Sequence, residues 1–335
     1  MENNNLTLDL EEIKKQFPEN PLIFFKDKRL CAFKACLEKY FPGVRYGIQD
    51  LGNELGLNIV TCRNQSCCSG TFFQRNLITR AQFAAINERN IYELDKQADI
   101  VLFSCNGCYN SLLRGRDFLK SPDVRKKTTE ILNTLQKKFE DRTNEKYQII
   151  QAPHVKFLHD LDFIYLIRNE VLNALKYDLK GLKVAVHYGC HYLNLTRDKK
   201  TAEEGLRDKT KLEELVELFG GRSIDYQERE LCCGWGASQL VIHPREALKI
   251  TYKKLKSAES VHADFILMPC PTCLYTLSKP EYRDKIEKWY GEKLDIPTIH
   301  INELIAILLG CEQERCITVR RTTPRINEIF SIITD

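Results

Sequence analysis

Ten of the fourteen cysteines in this 335-residue chain fall into two matching sets. Cys67-Cys68 is followed by Cys105-Asn-Gly-Cys108, and Cys232-Cys233 by Cys270-Pro-Thr-Cys273, with 36 residues between the adjacent pair and the CxxC each time. One offset of 165 relates all four positions, the mark of an internal duplication. A leading cysteine precedes each set, Cys36 in the first half and Cys190 in the second, with intervals of 30 and 41 residues. Five thiolates per half exceed the four of a structural zinc site, although zinc in each half stays open as an alternative. Clustered thiolates are the usual ligands of iron–sulfur clusters. Adjacent cysteines cannot share one face of a regular strand, so each Cys-Cys pair calls for a turn around a larger, multi-iron object.

The elements that must position these sulfurs keep the same register. Ala98-Asp-Ile-Val-Leu-Phe-Ser-Cys105 lies over Ala263-Asp-Phe-Ile-Leu-Met-Pro-Cys270, two apolar runs that predict buried strands delivering a CxxC at a sheet edge. Gly56-Leu-Asn-Ile59 lies over Gly221-Arg-Ser-Ile224, a helix stop followed by a strand start. Residues 77–97 and 244–262, rich in Ala, Glu, Lys and Arg, predict helices. Each half therefore alternates strands and helices, which predicts an α/β fold with a mainly parallel sheet.

Cys31 competes with Cys36 for the first leading position. Cys36 is preferred, because Ala32-Phe-Lys-Ala-Cys36 and Val184-Ala-Val-His-Tyr-Gly-Cys190 both read as a strand ending at its cysteine. The longer second interval fits a charged insertion over Thr196–Lys209, read as a surface loop or solvated turn. Between the halves, roughly Phe118 to Lys180, a lysine-rich stretch and an amphipathic stretch from Phe157 to Leu175 read as packing helices. Residues 1–30 and 312–335 lie outside the repeat and read as arms or docking segments. Cys62, five positions before Cys67, reads as a buried structural thiol, with an extra ligand or reactive thiol as the alternative; Cys311 and Cys316 read as buried structural thiols as well. His187 and His191 flank Cys190; His191 is either a proton donor to a product thiolate or a hydrogen-bonded structural histidine.

Composition removes other classes. With 50 basic and 46 acidic residues the net charge is only +4, no argument for nucleic acid. No apolar run approaches the ~20 residues of a spanning helix, and Leu304-Ile-Ala-Ile-Leu-Leu309 reads as a core helix. The acidic start lacks the basic region of a signal peptide, so a cytoplasmic location is expected, where thiols stay reduced. No G-x-G-x-x-G follows a strand and opens a helix, so a nicotinamide or flavin site is not expected.

The whole pattern resembles the duplicated cysteine-rich domain called CCG. Within that group, Gly181-Leu-Lys-Val-Ala-Val-His-Tyr-Gly-Cys-His191, Leu231-Cys-Cys-Gly-Trp-Gly236 and Phe41-Pro-Gly43 are similar to the B subunits of CoB–CoM heterodisulfide reductases. The resemblance implies an N-terminal extension over 1–30, a first CCG domain with connecting helices over 31–150, a second over 151–310 and a tail over 311–335. It implies two noncubane [4Fe–4S] clusters, one held by Cys36, Cys67, Cys68, Cys105 and Cys108, the other by Cys190, Cys232, Cys233, Cys270 and Cys273. It further implies a small-molecule disulfide between them, reduced with electrons from a ferredoxin-like Fe–S subunit and a flavin-containing subunit. Coenzymes M and B carry anionic groups that need cations, for which Lys34 and Arg45 are candidates, though each also reads as a plain surface charge. The related alternative is a cluster-bearing electron-transfer subunit of the lactate, glycolate or succinate type. The first half departs from the family at Cys68-Ser69-Gly70, where Pro or Gly often follows the pair directly; an altered first cluster or a scaffolding first half is the alternative, and two equivalent sites are expected.

Overall fold

The computed structural model describes residues 6–143, 147–195, 210–236, 239–317 and 323–335. Among the described residues, eight short strands make two sheets. β1 (Leu30–Phe33), β2 (Ile59–Thr61), β3 (Ile100–Phe103) and β4 (Lys156–His159) form the first, in the order β2-β1-β3-β4. β5 (Lys183–Val186), β6 (Arg222–Ile224), β7 (Phe265–Met268) and β8 (Thr298–His300) repeat that order as β6-β5-β7-β8. Every pairing is parallel. β1, β3 and β7 are buried along their whole length, because helices cover both faces of a parallel sheet. The fold is thus α/β with a duplicated parallel sheet, as the cysteine register and the apolar runs predict.

The two predicted covering helices span Arg80–Gln97 and Pro244–Ser260. Thr79 starts the first through a capping box with Gln82, and Pro244 at the first helical position starts the second. Ile301–Leu308, buried at every position, is the core helix expected over Leu304–Leu309.

Three details differ from the sequence reading. The strand expected to end at Cys36 stops at Phe33, and Cys36 opens a 3-10 helix over Cys36–Tyr40; Cys190 likewise opens the helix Cys190–Leu195. A leading cysteine must turn off the sheet edge to face a shared object, so it cannot continue the strand. The stretch from Phe157 begins as β4 before the helices Asp160–Leu166 and Arg168–Ala174, so the first sheet takes its last strand from residues beyond 150. β4 carries no cysteine, and nothing in its composition ties it to the first half. The positive-φ glycine ahead of β6 is Gly220 (φ 81°), one residue before the Gly221 aligned with Gly56. The charged insertion over Thr196–Lys209 lies outside the described residues.

Both end segments pack on this body. Leu6 and Thr7 run beside Phe157 of β4, and Ile326 and Ile333 of the last helix, Thr323–Thr334, are fully buried. Among the described residues no helix is long and apolar enough to cross a membrane.

The halves meet where Pro42–Glu54 crosses Ile301–Leu308. A Cβ placed on Gly47 would lie 1.9 Å from the Asn302 carbonyl oxygen, so two backbones are in contact there. Gly47→Ala must push the helices apart, and a loss of about 3 kcal/mol is expected, the upper end for overpacking. Anaerobic denaturant unfolding measures it; a loss under ~1 kcal/mol would mean that this contact does not hold the halves together.

Candidate metal centre

In each sheet the chain runs from the first strand to one neighbour and returns to the other side, so a crevice opens at the carboxyl ends of β1 and β3, and of β5 and β7. Cys36 and Cys190 follow the first strands, and Cys105 and Cys270 follow the third. Cys105 caps the helix Asn106–Phe118 and Cys270 caps Pro271–Ser278, which sets Cys108 and Cys273 in the first helical turns. A helix N-terminus favours negative charge, but among these four sulfurs contact with neighbouring thiols and burial push Cys105, Cys108 and Cys273 up, and only Cys270 is drawn down.

The adjacent pairs form matching turns. The Ser69 N–H donates to Cys67 Sγ at 3.4 Å, and the Gly234 N–H donates to Cys232 Sγ at 3.5 Å. Ser69 reaches this geometry with φ 57° where Gly234 has φ 103°. The departure at Cys68-Ser69-Gly70 is therefore absorbed in the backbone: serine takes up a left-handed conformation at roughly 1–2 kcal/mol. Gly234 has no such latitude, because a Cβ would lie 2.2 Å from Thr251 Oγ1 and 2.7 Å from the Ala247 carbonyl oxygen. From the helices behind, the Asn87 side-chain N–H donates to the Cys68 carbonyl and the Thr251 hydroxyl to the Cys233 carbonyl.

All ten cysteines of the repeat line one cavity of about 700 Å³, part of it open to solvent. Their thiols touch in one unbroken series: Cys36, Cys67, Cys68, Cys108, Cys105, then across the interface Cys270, Cys273, Cys233, Cys232 and Cys190. The series is a palindrome about the Cys105–Cys270 contact. It surfaces at both ends, where Cys36, Cys67 and Cys190 are exposed, and is buried at its centre. Hydrogen bonds from Cys36 and Cys68 hold the Cys67 thiol down to about 2, and Cys190 and Cys233 pull Cys232 down likewise. Contact with Cys67 pushes Cys36 up, and Cys232 does the same to Cys190. Ten crowded sulfurs cannot all ionise without positive charge among them. Among the described residues no lysine or arginine lines the cavity. Soft, abundant and electron-rich, the donor set fits iron–sulfur clusters.

The other candidates fall elsewhere. Cys31 is buried within β1 against Cys62, and neither lines the cavity, so of the two rivals it is Cys36 that faces it. Cys311 and Cys316 touch one another, with Cys311 beside Asp50. Lys34 is tied at its backbone to Gln65, and Arg45 lies over the Tyr46 ring; both are off the cavity wall. His191 is on the wall, its Nε2 3.0 Å from the Gln74 amide nitrogen of the other half. His187 is buried behind the wall, its ring close to Cys233 and Cys273. Two histidines were not anticipated. His159 and His300 end β4 and β8, and each Nδ1 accepts the N–H two residues on, capping the next helix. The far nitrogen of His300 lies 3.1 Å from the Ser104 carbonyl, beside Cys105. The available signal was the pair Phe157-Leu-His159 and Thr298-Ile-His300, a repeat without cysteines.

The cysteine-rich domain model CCG matches residues 31–113 and 184–278, spanning both sets of sulfurs. The chain belongs to the CCG family. A protein of Archaeoglobus profundus described as like the B subunit of heterodisulfide reductase is 27% identical over 285 residues, 83% of this chain and 91% of the relative. The B subunit of the ferredoxin/F420H2-dependent CoB–CoM heterodisulfide reductase of Methanosarcina acetivorans is 25% identical over 84% of this CCG chain and 89% of its own length. The 8-methylmenaquinol:fumarate reductase membrane anchor subunit of Wolinella succinogenes is also 25% identical, over 81% and 91% respectively. Among solved structures, a hypothetical protein from Helicobacter pylori superposes with a TM-score of 0.57 at 12% identity, covering 91% of this chain and 55% of that one, a likeness of fold.

Proposed function

We propose that this CCG chain is the iron–sulfur subunit of an oxidoreductase that reduces a disulfide to two thiols. One observation carries the reading: two sets of five cysteines, one from each half, open into a single cavity and meet at Cys105 and Cys270. A disulfide has two sulfurs to stabilise as they part, and this cavity has two equivalent walls to receive them. The balance is R–S–S–R′ plus two electrons and two protons giving R–SH and R′–SH. Bound clusters, two of the noncubane four-iron kind in this reading, supply single electrons and open iron for each sulfur.

The chain's own residues do the rest. Cys36, Cys67, Cys68, Cys105 and Cys108 hold one cluster, and Cys190, Cys232, Cys233, Cys270 and Cys273 the other. The Ser69 and Gly234 N–H groups donate to ligand sulfurs and so soften their charge. His191, fixed by Gln74, is the wall group able to pass a proton to a departing thiolate. Electrons come from an Fe–S partner subunit and, beyond it, a flavoprotein, and the family likeness to Methanosarcina favours the heterodisulfide of coenzymes M and B or a close analogue. The likeness to the Wolinella anchor subunit supports a second reading, an electron-transfer subunit without its own substrate.

An anaerobic assay separates the two. The chain should oxidise reduced viologen when the heterodisulfide is added, and NAD(P)H should not replace the dye. Dye oxidation that never depends on a disulfide, in protein carrying both clusters, would favour the electron-transfer reading.

A further inference from the structure

A buried histidine beside the second site has no counterpart beside the first. His187 stands three residues before Cys190, and Phe33 stands three residues before Cys36. Their strands agree: Phe33 pairs with Phe103 of β3, and His187 follows Val186, which pairs with Leu267 of β7. Phe33 stacks on Phe103 with ring centroids 5.0 Å apart and has nothing to donate. His187 is 2% exposed, and neither ring nitrogen has a hydrogen-bond partner in the protein. The Arg229 carbonyl is near enough to favour a charged ring but is not in hydrogen-bonding geometry. A ligand atom of the imidazole and the sulfurs of Cys233 and Cys273 all lie within 4.8 Å of one another. Gly189, at φ 82°, has its virtual Cβ 3.2 Å from Cys273 Sγ and 3.9 Å from His187 Nε2, so a larger residue would crowd this gap.

Buried polar groups almost always have a partner, and a fully buried imidazole carries at least one N–H in either protonation state. We infer that His187 donates its N–H to the sulfur shell of the second cluster, at Cys233 or Cys273, and gives that cluster a higher reduction potential than the first. The inference rests on the iron–sulfur reading above. Hydrogen bonds to cluster sulfurs stabilise the reduced, more negative state, whereas a phenyl ring at Phe33 offers none.

A second asymmetry has the same sign. Asn87 and Thr251 hold equivalent carbonyls; three residues along, the first half has Asn90 and the second has Lys254. Lys254 is buried, and its Nζ donates to the Glu228 carbonyl at 2.6 Å, the Arg229 carbonyl at 3.0 Å and Tyr226 Oη at 3.3 Å. Three acceptors satisfy the three N–H groups of an ammonium. The second half thus sets a cation near its sulfurs where the first sets a neutral amide. An electron entering the pair settles on the second cluster, which makes its wall the first to load.

The test is a redox titration of the anaerobically purified holo-chain, followed by electron paramagnetic resonance with ¹⁵N-labelled histidine. His187→Phe should make reduction of the second cluster about tenfold less favourable, ~59 mV for a one-electron couple. The first cluster should be unaffected, and the nitrogen coupling of the wild-type second cluster should vanish. The reciprocal Phe33→His should raise the first cluster's potential, and this variant decides the matter if His187→Phe loses iron. Unshifted potentials in both variants, with iron retained, would overturn the role of His187 alone. A wild-type chain without two cluster signals would instead overturn the reading beneath it.

Discussion

Cys68→Ser and Cys233→Ser should each lower disulfide-dependent turnover by more than ~100-fold, beyond the 10- to 100-fold usual for groups one step behind a metal ligand. Each residue joins the exposed end of its sulfur series to its CxxC: Cys68 touches Cys67 and Cys108, and Cys233 touches Cys232 and Cys273. Serine is nearly isosteric, but its hard oxygen is a poor partner for a soft iron–sulfur centre. Iron should fall by one cluster in either variant while far-ultraviolet circular dichroism is unchanged. The matching Ser69 and Gly234 turns are the structural ground for expecting equal losses. Substantial turnover in Cys68→Ser with its first cluster gone would mean that the disulfide is handled by the second half alone.

The duplication was legible because metal chemistry constrains spacing more tightly than packing does. Four cysteines kept one offset, and the strands β3 and β7 before the CxxC kept their apolar runs, so the α/β class and the gathering of the site followed from residue types. The leading cysteines were harder. A strand and the turn after it look alike in a short run such as Ala32–Cys36, and only the backbone turning at Phe33 separates Cys36 from the buried Cys31. β4 is illegible in the sequence because a single edge strand of four residues, following the lysine-rich helix Pro122–Thr143, has the amphipathic look of another helix. The consequence of Ser69 was also invisible, since a left-handed conformation at a non-glycine residue depends on what the surrounding backbone imposes. His187 was visible as a residue, yet its meaning lies in a comparison with Phe33 that needs the strand registers. Lys34 and Arg45 are candidates for an anionic substrate by charge alone; that neither lines the cavity is a tertiary fact.

Metal content bears on all of this at once. Ten thiols crowded in one cavity call for a large positive charge shared among them, which the two four-iron clusters proposed above would provide. Anaerobically purified chain should carry about eight irons per molecule and a matching amount of acid-labile sulfide, and air should bleach its colour because open iron sites are accessible to oxygen. Quantifying iron, sulfide and zinc in one preparation is the direct measurement. About eight irons with sulfide, distributed as two clusters, is the expected result; stoichiometric zinc with neither iron nor labile sulfide would contradict it.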